Sequence, residues 1–248
     1  MEHITSRKNP KIQHIKKLGS SKAYRTECGE FLCDGRKLLE EAVSNGAEVL
    51  TIVYCGEVPA VMPEGAAVIE VTRDIIEYVS PMKTPQDVLF VCKMPHKSEA
   101  FASGGKYIVI EEVQDPGNVG TIMRTARAMG YDCVILLPGC ADLYSPKTVR
   151  STMGAIFRQN AIEADFEFLR ELKNNGVTLM GATLAEDSVD IRTVKFENFA
   201  VCIGSEGRGL SNELLELCDK KIIIPMMQEC ESLNAAMAAG IIMWESVR

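Results

Sequence analysis

Tyr107-Ile-Val-Ile-Glu-Glu-Val-Gln-Asp-Pro-Gly-Asn118-Val-Gly120-Thr-Ile-Met-Arg124-Thr-Ala-Arg127-Ala-Met-Gly130-Tyr-Asp-Cys133-Val-Ile-Leu-Leu137 decides the fold. Two short uninterrupted apolar runs, 107–110 and 133–137, flank a segment, 121–129, whose apolar residues recur at helical spacing. Strand, helix, strand is the unit from which parallel sheets are built, and strands without polar alternation are those covered on both faces. The pattern continues downstream: a helix over 166–173 with Asp165 as its N-cap, a strand over 178–182, a strand over 200–203, a helix over 212–218, a strand over 221–224 and a last helix over 233–247. The predicted class is therefore α/β with a parallel sheet.

Upstream, helices are predicted over 11–18, 36–44 and 74–79, with strands over 30–33, 49–54 and 88–92. Between this front part and the regular alternation runs Lys93-Met-Pro-His-Lys-Ser-Glu-Ala-Phe-Ala-Ser-Gly-Gly105, without periodicity and rich in turn residues. It divides the chain into an expected domain over 1–95, a linker over 96–104 and a second domain over 105–248. No fixed-period repeat is present.

Composition narrows the class of function. With 46% apolar and 25% charged residues in 248, the chain has the profile of a folded soluble protein. The longest uncharged stretch near the C-terminus, 232–244, falls short of the ~20 residues that cross a bilayer. The first residues carry no secretory signal, so the cytoplasm is the expected location. Nine cysteines at irregular spacing, with no Cys-x-x-Cys pair, fit neither a disulfide framework nor a zinc site. They read as free thiols, and no metal is expected. The three histidines, His3, His14 and His96, all lie in the front part, so chemistry further along must work without imidazole.

The net charge of −7 hides an asymmetry. Residues 1–25 carry Arg7, Lys8, Lys11, Lys16, Lys17, Lys22 and Arg25 against Glu2 alone, while the remainder nets −13. Such a segment suits a polyanion, and it equally suits a solvated helix face. Charge alone leaves both open.

Three loops sit where ligands bind in such sheets, just beyond the C-terminal ends of strands. In the first, Asp115-Pro-Gly-Asn118 reads as a turn, followed by a helix with Ile122, Ala126 and Met129 on one side and Arg124 and Arg127 on the other. Taken alone, two arginines on such a helix read by default as simple solvation. The second is Gly204-Ser-Glu206-Gly207-Arg208-Gly209-Leu210-Ser211. Its glycines let backbone approach a ligand, but Leu210 stands where a phosphate-loop lysine would be, which argues against nucleotide hydrolysis. Glu206 suits a neutral or cationic ligand. The third runs from Ile224-Pro225 to Glu231-Ser232-Leu233-Asn234, with Ser232 as the expected cap of a final helix that is apolar on nearly every side. A helix of that kind is buried in a core or in a subunit interface.

In this order and spacing the three segments resemble motifs 1, 2 and 3 of the SpoU (TrmH-type) family of RNA ribose 2′-O-methyltransferases, within the SPOUT superfamily. The matching pieces are Asn118-x-Gly120-x-x-x-Arg124-Thr-Ala, Gly204-Ser-Glu206-Gly207-x-Gly209-Leu-Ser, and Ile224-Pro225-Met with Glu231-Ser232-Leu233-Asn234. A weaker likeness, through Ile4-Thr-Ser-Arg-Lys-Asn-Pro and Phe31-Leu-Cys-Asp34-Gly35-Arg36, links the front part to that family's ribosomal-protein-like substrate-binding domain.

The resemblance implies a C-terminal domain with a deep trefoil knot and S-adenosylmethionine held at Thr183, Gly204, Gly209, Ile224 and Leu233. It implies a homodimer formed through that domain. It implies methyl transfer to a ribose hydroxyl of RNA, with large-subunit ribosomal RNA the expected substrate and transfer RNA the alternative, and with Arg124 as the central catalytic group. Asn118 and Asn234 would orient ribose and Arg124, Glu206 would pair with Arg124, and Ser232 would offer a hydroxyl. Arg7, Lys8, Lys11, Lys16, Lys17, Arg36 and Arg127 are the expected RNA contacts. The matching arginine is proposed in the family as a base, yet a guanidinium is not normally deprotonated in proteins; an electrostatic clamp is the alternative.

Overall fold

The computed structural model describes residues 2–95, 104–227 and 232–248. In chain order the first elements are β1 (Glu2–Ile4), α1 (Pro10–Ser20), α2 (Lys22–Cys28), β2 (Glu30–Asp34), α3 (Arg36–Ser44), β3 (Val49–Tyr54), β4 (Ala67–Val71), α4 (Arg73–Val79) and β5 (Val88–Lys93). They are followed by β6 (Lys106–Ile110), α5 (Pro116–Ala128), β7 (Cys133–Leu136), α6 (Pro146–Ser151), β8 (Asn160–Glu163), α7 (Phe166–Asn174) and β9 (Thr178–Ala182). The last are β10 (Val189–Asp190), β11 (Phe199–Ile203), α8 (Asn212–Leu217), β12 (Lys220–Ile223) and α9 (Ala235–Val247).

The chain divides into two compact units, residues 1–96 with 142–158, and residues 97–141 with 159–248. The expected linker, 96–104, lies almost wholly outside the described residues. Residues 142–158, which the sequence reading ran into the second domain, pack with the first unit. The cause is visible in the contacts: Tyr144 and Phe157 stack against Phe31 at 5.0 and 6.2 Å between ring centroids. Arg25, only 4% exposed, donates to the Leu18 carbonyl at 2.5 Å and pairs with Asp142.

The first unit is built on a mixed five-stranded sheet, in the order β1-β4-β3-β5-β2. Ile12, Ile15 and Leu18 of α1 and Ile75, Ile76 and Val79 of α4 share one core with the sheet residues Leu32, Val53, Ile69 and Leu89. The two strands of this unit absent from the sequence reading, β1 and β4, pair with each other, and β1 forms the edge; β8 and β10 of the second unit are absent from it as well. Each is short and has a polar or half-exposed member, so its periodicity is weak.

The second unit carries a seven-stranded sheet, β10-β12-β9-β11-β6-β7-β8, with every pair parallel. Tyr107, Val109, Cys133 and Ile135 pack with Leu169 and Leu172 of α7 and Leu214 of α8. The alternate residues Ile108, Ile110, Val134 and Val201 are equally buried, and because successive strand residues point to opposite faces they belong to the other side. There α5 and α9 pack against each other and on β7 and β11. After β8 the chain crosses to the opposite side of β6, and β11 fills the gap, so a topological switch lies between β6 and its neighbours.

Two local details differ from the sequence reading. Asp115-Pro-Gly-Asn118 is the beginning of α5 rather than a turn before it: Asp115 Oδ1 accepts from Asn118 N–H at 2.9 Å and Pro116 occupies the first turn. Aspartate followed by proline is itself a helix-start signal, since proline lacks an N–H that would go unpaired there anyway. On α9 one face, Ala235, Ala236, Ala239, Ile242 and Met243, is buried, whereas Met237 and Trp244 are about 60% exposed. The helix is thus apolar all round but covered on one side only.

Burial pushes the Cys133 thiol up to about 12 and the Cys140 thiol up to about 11. The cysteines among the described residues are all free. No described helix is long and apolar enough to cross a membrane. Among the described residues no three His, Cys, Asp or Glu side chains stand together as a metal site would require.

Candidate active site

At the C-terminal ends of β9, β11 and β12 lies a cavity of about 450 Å³. All five residues expected to hold a cofactor, Thr183, Gly204, Gly209, Ile224 and Leu233, line it. Backbone and aliphatic side chains, including Ile203 and Ala238, form much of its wall, with Glu206 and Arg208 as the charged lining residues. Ile224 follows the last ladder pair, Asp190 with Ile223, so its backbone is past the sheet pairing.

The loop after β11 closes on itself. Ser205 N–H donates to Gly209 O at 3.2 Å, Gly209 N–H returns to Ser205 O at 2.9 Å, and Gly209 turns back with φ +69°. A Cβ on Gly204 would stand 2.1 Å from both the carbonyl carbon and the oxygen of Gly209, so only glycine fits. At Gly207 and Gly209 the corresponding position meets nothing within 4 Å, which leaves open backbone along the cavity. Glu206 is the acidic side chain among the lining residues.

One buried carboxylate was missed in the sequence. Glu111, 5% exposed at the end of β6, accepts from Ser211 N–H at 2.8 Å and Ser211 Oγ–H at 2.6 Å. Ser211 in turn caps α8, so Glu111 ties the exit of the glycine loop to the neighbouring strand. A Glu directly after an apolar strand, with a second Glu beside it, reads as the start of an exposed loop; only tertiary pairing reveals its burial.

The polar groups of the three motifs meet, though not in the expected pairing. Asn118 Nδ2–H donates to Glu206 Oε1, while Asn234 Nδ2–H donates to Asn118 Oδ1 at 3.1 Å and to Glu206 Oε1 at 3.3 Å. Asn234, rather than Ser232, is the N-cap of α9, its Oδ1 accepting from Ala236 and Met237 N–H at 3.0 and 3.2 Å. The helix therefore starts two residues later than predicted, and one amide both caps it and joins it to the other motifs. Ser232 lines the cavity. Arg124 does not pair with Glu206, whose Oε1 accepts from both asparagines. It stands on the exposed side of α5 beside Arg127, opposite the buried Ile122, Met123 and Ala126, and has no hydrogen bond or ion pair among the described residues.

The cations expected to meet RNA are differently committed. Arg7 pairs with Asp74 at 3.3 Å and Lys11 with Glu2. The Arg36 guanidinium is spent on Asp87, at 2.9 and 2.6 Å, and on the carbonyls of Glu57 and Val58. Lys16 sits 3.3 Å from the centre of the Tyr78 ring and Lys17 5.3 Å from that of Tyr24. Lys8 is exposed with no side-chain partner among the described residues.

A parallel sheet whose glycine loop, buried glutamate and asparagine network gather near a topological switch defines the class of SPOUT-type RNA methyltransferases. The chain belongs to the SpoU rRNA Methylase family, which residues 105–244 match, and residues 9–89 match the MRM3-like substrate binding domain. It is 36% identical over 247 residues, 98% of each chain, to the 23S rRNA (guanosine(2553)-2′-O)-methyltransferase RlmP of Bacillus subtilis. It is 31% identical to the 23S rRNA (uridine(2479)-2′-O)-methyltransferase of Streptomyces viridochromogenes, over 99% of this chain and 91% of that one. The crystal structure of an AdoMet-bound rRNA methyltransferase from Sinorhizobium meliloti superposes with a TM-score of 0.89 at 32% identity, covering 99% and 97%.

Proposed function

We propose that the protein transfers a methyl group from S-adenosylmethionine to a ribose 2′-hydroxyl of large-subunit ribosomal RNA. The observation that carries this reading is the coincidence of the glycine-walled cavity with an Asn118–Glu206–Asn234 network that joins all three motifs. The cavity suits the cofactor: aliphatic walls for an adenine, bare backbone at Gly207 and Gly209, and one carboxylate, Glu206, for a cationic group. When bound, the cofactor supplies an electrophilic methyl on a neutral leaving group, so the leaving side needs no acid.

The difficulty lies with the hydroxyl, which is barely acidic at neutral pH. Arg124, unpaired and exposed, grips the phosphate beside the reacting ribose and stabilises the charge that develops on the 2′-oxygen. The asparagines orient the ribose: the bonds from Asn118 and Asn234 to Glu206, and from the first turn of α9 to Asn234, fix their amides in one geometry. Correct placement of this kind is worth up to about 7–11 kcal/mol in favourable systems.

The same reading includes a deep trefoil knot in the C-terminal domain, a cytoplasmic enzyme, and a homodimer. The exposed apolar stripe of α9, Met237, Ile241, Trp244 and Val247, supports the last, because soluble proteins cover such stripes and two-fold pairing is the common way. Calorimetry with S-adenosylmethionine and with ATP, followed by labelled-methyl transfer to a 23S rRNA transcript, tests the reading. Saturable binding of the first alone, with label in RNA, is the expected result. Binding of ATP alone would overturn it.

A further inference from the structure

The first unit has a cavity of its own, about 780 Å³, at the start of α3, within the size range of ligand sites. Asp34, the last residue of β2, lines it while only 5% exposed. Its carboxylate accepts Gln86 N–H at 3.2 Å and Ser80 Oγ–H at 3.3 Å, both long for a charged acceptor. A carboxylate has about four acceptor sites, and among the described residues Asp34 has no ion pair within 4.0 Å. Burial pushes its pKa up, against the lowering pull of the Gln86 N–H and Arg150. A buried anion with half its capacity unused faces a cavity.

The surroundings are equally specific. Gly35 adopts φ +121°, and a Cβ there would meet Gln86 Oε1 at 2.7 Å. At the rim, Lys37 is exposed with no partner among the described residues, and Arg150 makes only a 3.5 Å bond to Thr84 O. Of the two other acids lining the cavity, Glu41 is engaged by Arg158 at 3.1 Å, leaving Glu40. Met153, 60% exposed, is held at φ +49°, a left-handed conformation that costs a side-chain-bearing residue free energy. An apolar side chain is thus presented to solvent at the edge of a charged cavity.

We propose that this cavity receives an unstacked guanine of the RNA substrate. Asp34 accepts from guanine N1–H and N2–H, Lys37 and Arg150 hold flanking phosphates, and Met153 packs on the base face. This rests on RNA being the substrate. Guanine is chosen because it alone among RNA bases has two adjacent donors on its Watson–Crick edge. Adenine and cytosine set an acceptor beside their amino group, and uracil flanks its donor with two acceptors, so each would press a lone pair against the carboxylate. Splayed bases in side-chain pockets are the usual mode of sequence-specific RNA recognition.

Fluorescence anisotropy with single-stranded oligoribonucleotides carrying one central guanine, inosine or adenine tests this. Inosine lacks only the N2 amino group. Wild-type protein should bind the guanine oligomer about ten-fold more tightly than the inosine one, as expected for loss of half a bidentate contact. Asp34→Asn should erase that ratio while leaving S-adenosylmethionine affinity and thermal stability unchanged. Lys37→Ala with Arg150→Ala, the second variant should Asp34→Asn fail to fold, should weaken all three oligomers alike and keep the ratio.

An equal affinity of the wild type for guanine and inosine, or a ratio that survives Asp34→Asn, would overturn the proposal. Guanosine monophosphate binding more tightly than the oligomer would overturn RNA as the source of the base. Because binding is read without methyl transfer, a guanine preference in a protein that methylates no RNA would refute the reaction and leave the cavity's role standing.

Discussion

The cavity at the ends of β9, β11 and β12 is lined mostly by glycine backbone and aliphatic side chains, with Glu206 and Arg208 as its charged members, whereas the cavity at α3 is lined mostly by charged side chains, Asp34, Arg36, Lys37, Glu40, Glu41 and Arg150. The first selects by shape and by fixed peptide dipoles; its specificity sits in what glycine permits. The second selects by the charge and hydrogen-bonding capacity of side chains. Each cavity has one glycine that no side chain can replace: a Cβ at Gly204 meets the Gly209 backbone at 2.1 Å, and one at Gly35 meets Gln86 Oε1 at 2.7 Å.

The sharpest break in that contrast comes from Arg124→Ala. If the chemistry hangs on that side chain, kcat falls by about 10²–10³, the loss typical of removing one transition-state stabiliser, while cofactor affinity stays within a few-fold. Retention of more than a tenth of the wild-type kcat in stopped-time methylation assays would assign the work elsewhere. Gly204→Ala tests the backbone-built half. The added carbon meets the Gly209 backbone, which cannot yield as a side-chain tip could, so cofactor affinity by calorimetry should fall by about 100-fold, with circular dichroism confirming the fold.

Met237→Glu probes the exposed face of α9. Met237 is 60% exposed, so the charge leaves the chain's own core intact and strikes only a partner. Sedimentation should shift from a dimer to a species near the 27.3 kDa chain mass, with methylation lost in parallel. A fully active wild-type monomer would falsify the dimer. The smallest effect concerns the basic segment. Of its seven cations, Arg25 is buried and Arg7 and Lys11 have acidic partners, so neutralising Lys8, Lys16 and Lys17 should flatten the log K against log[salt] slope by about 2. An unchanged slope would mean these lysines merely solvate α1 and its approach.

The same contrast explains what the sequence disclosed. The parallel sheet was legible because its strands are uninterrupted apolar runs, and the residues that line the cavity at their ends because its glycines and strand ends are local features. Long-range polar pairing was not. Glu206 was expected on Arg124 and is held instead by Asn118 and Asn234, and Ser232 was expected to cap the helix that Asn234 caps. Glu111 looked like a loop residue until Ser211 arrived from 100 positions away. The α3 cavity was hidden for the same reason: Asp34 and Arg150 are far apart in sequence, and charged residues on short elements read as solvated surface. Residues 142–158 pack with the first unit through Phe31 and Arg25, partners no periodicity reveals.

The central claim is that the methyl group arrives on a ribose oxygen, and alkaline hydrolysis of the product tests it most directly. The purified protein is incubated with labelled S-adenosylmethionine and a 23S rRNA transcript, and the RNA is digested with alkali and separated by mass. A ribose 2′-O-methyl removes the nucleophile for strand cleavage, so the label should appear in an alkali-resistant dinucleotide, near one per transcript, and vanish with Arg124→Ala. Label in ordinary mononucleotides would place the methyl on a base and contradict the account.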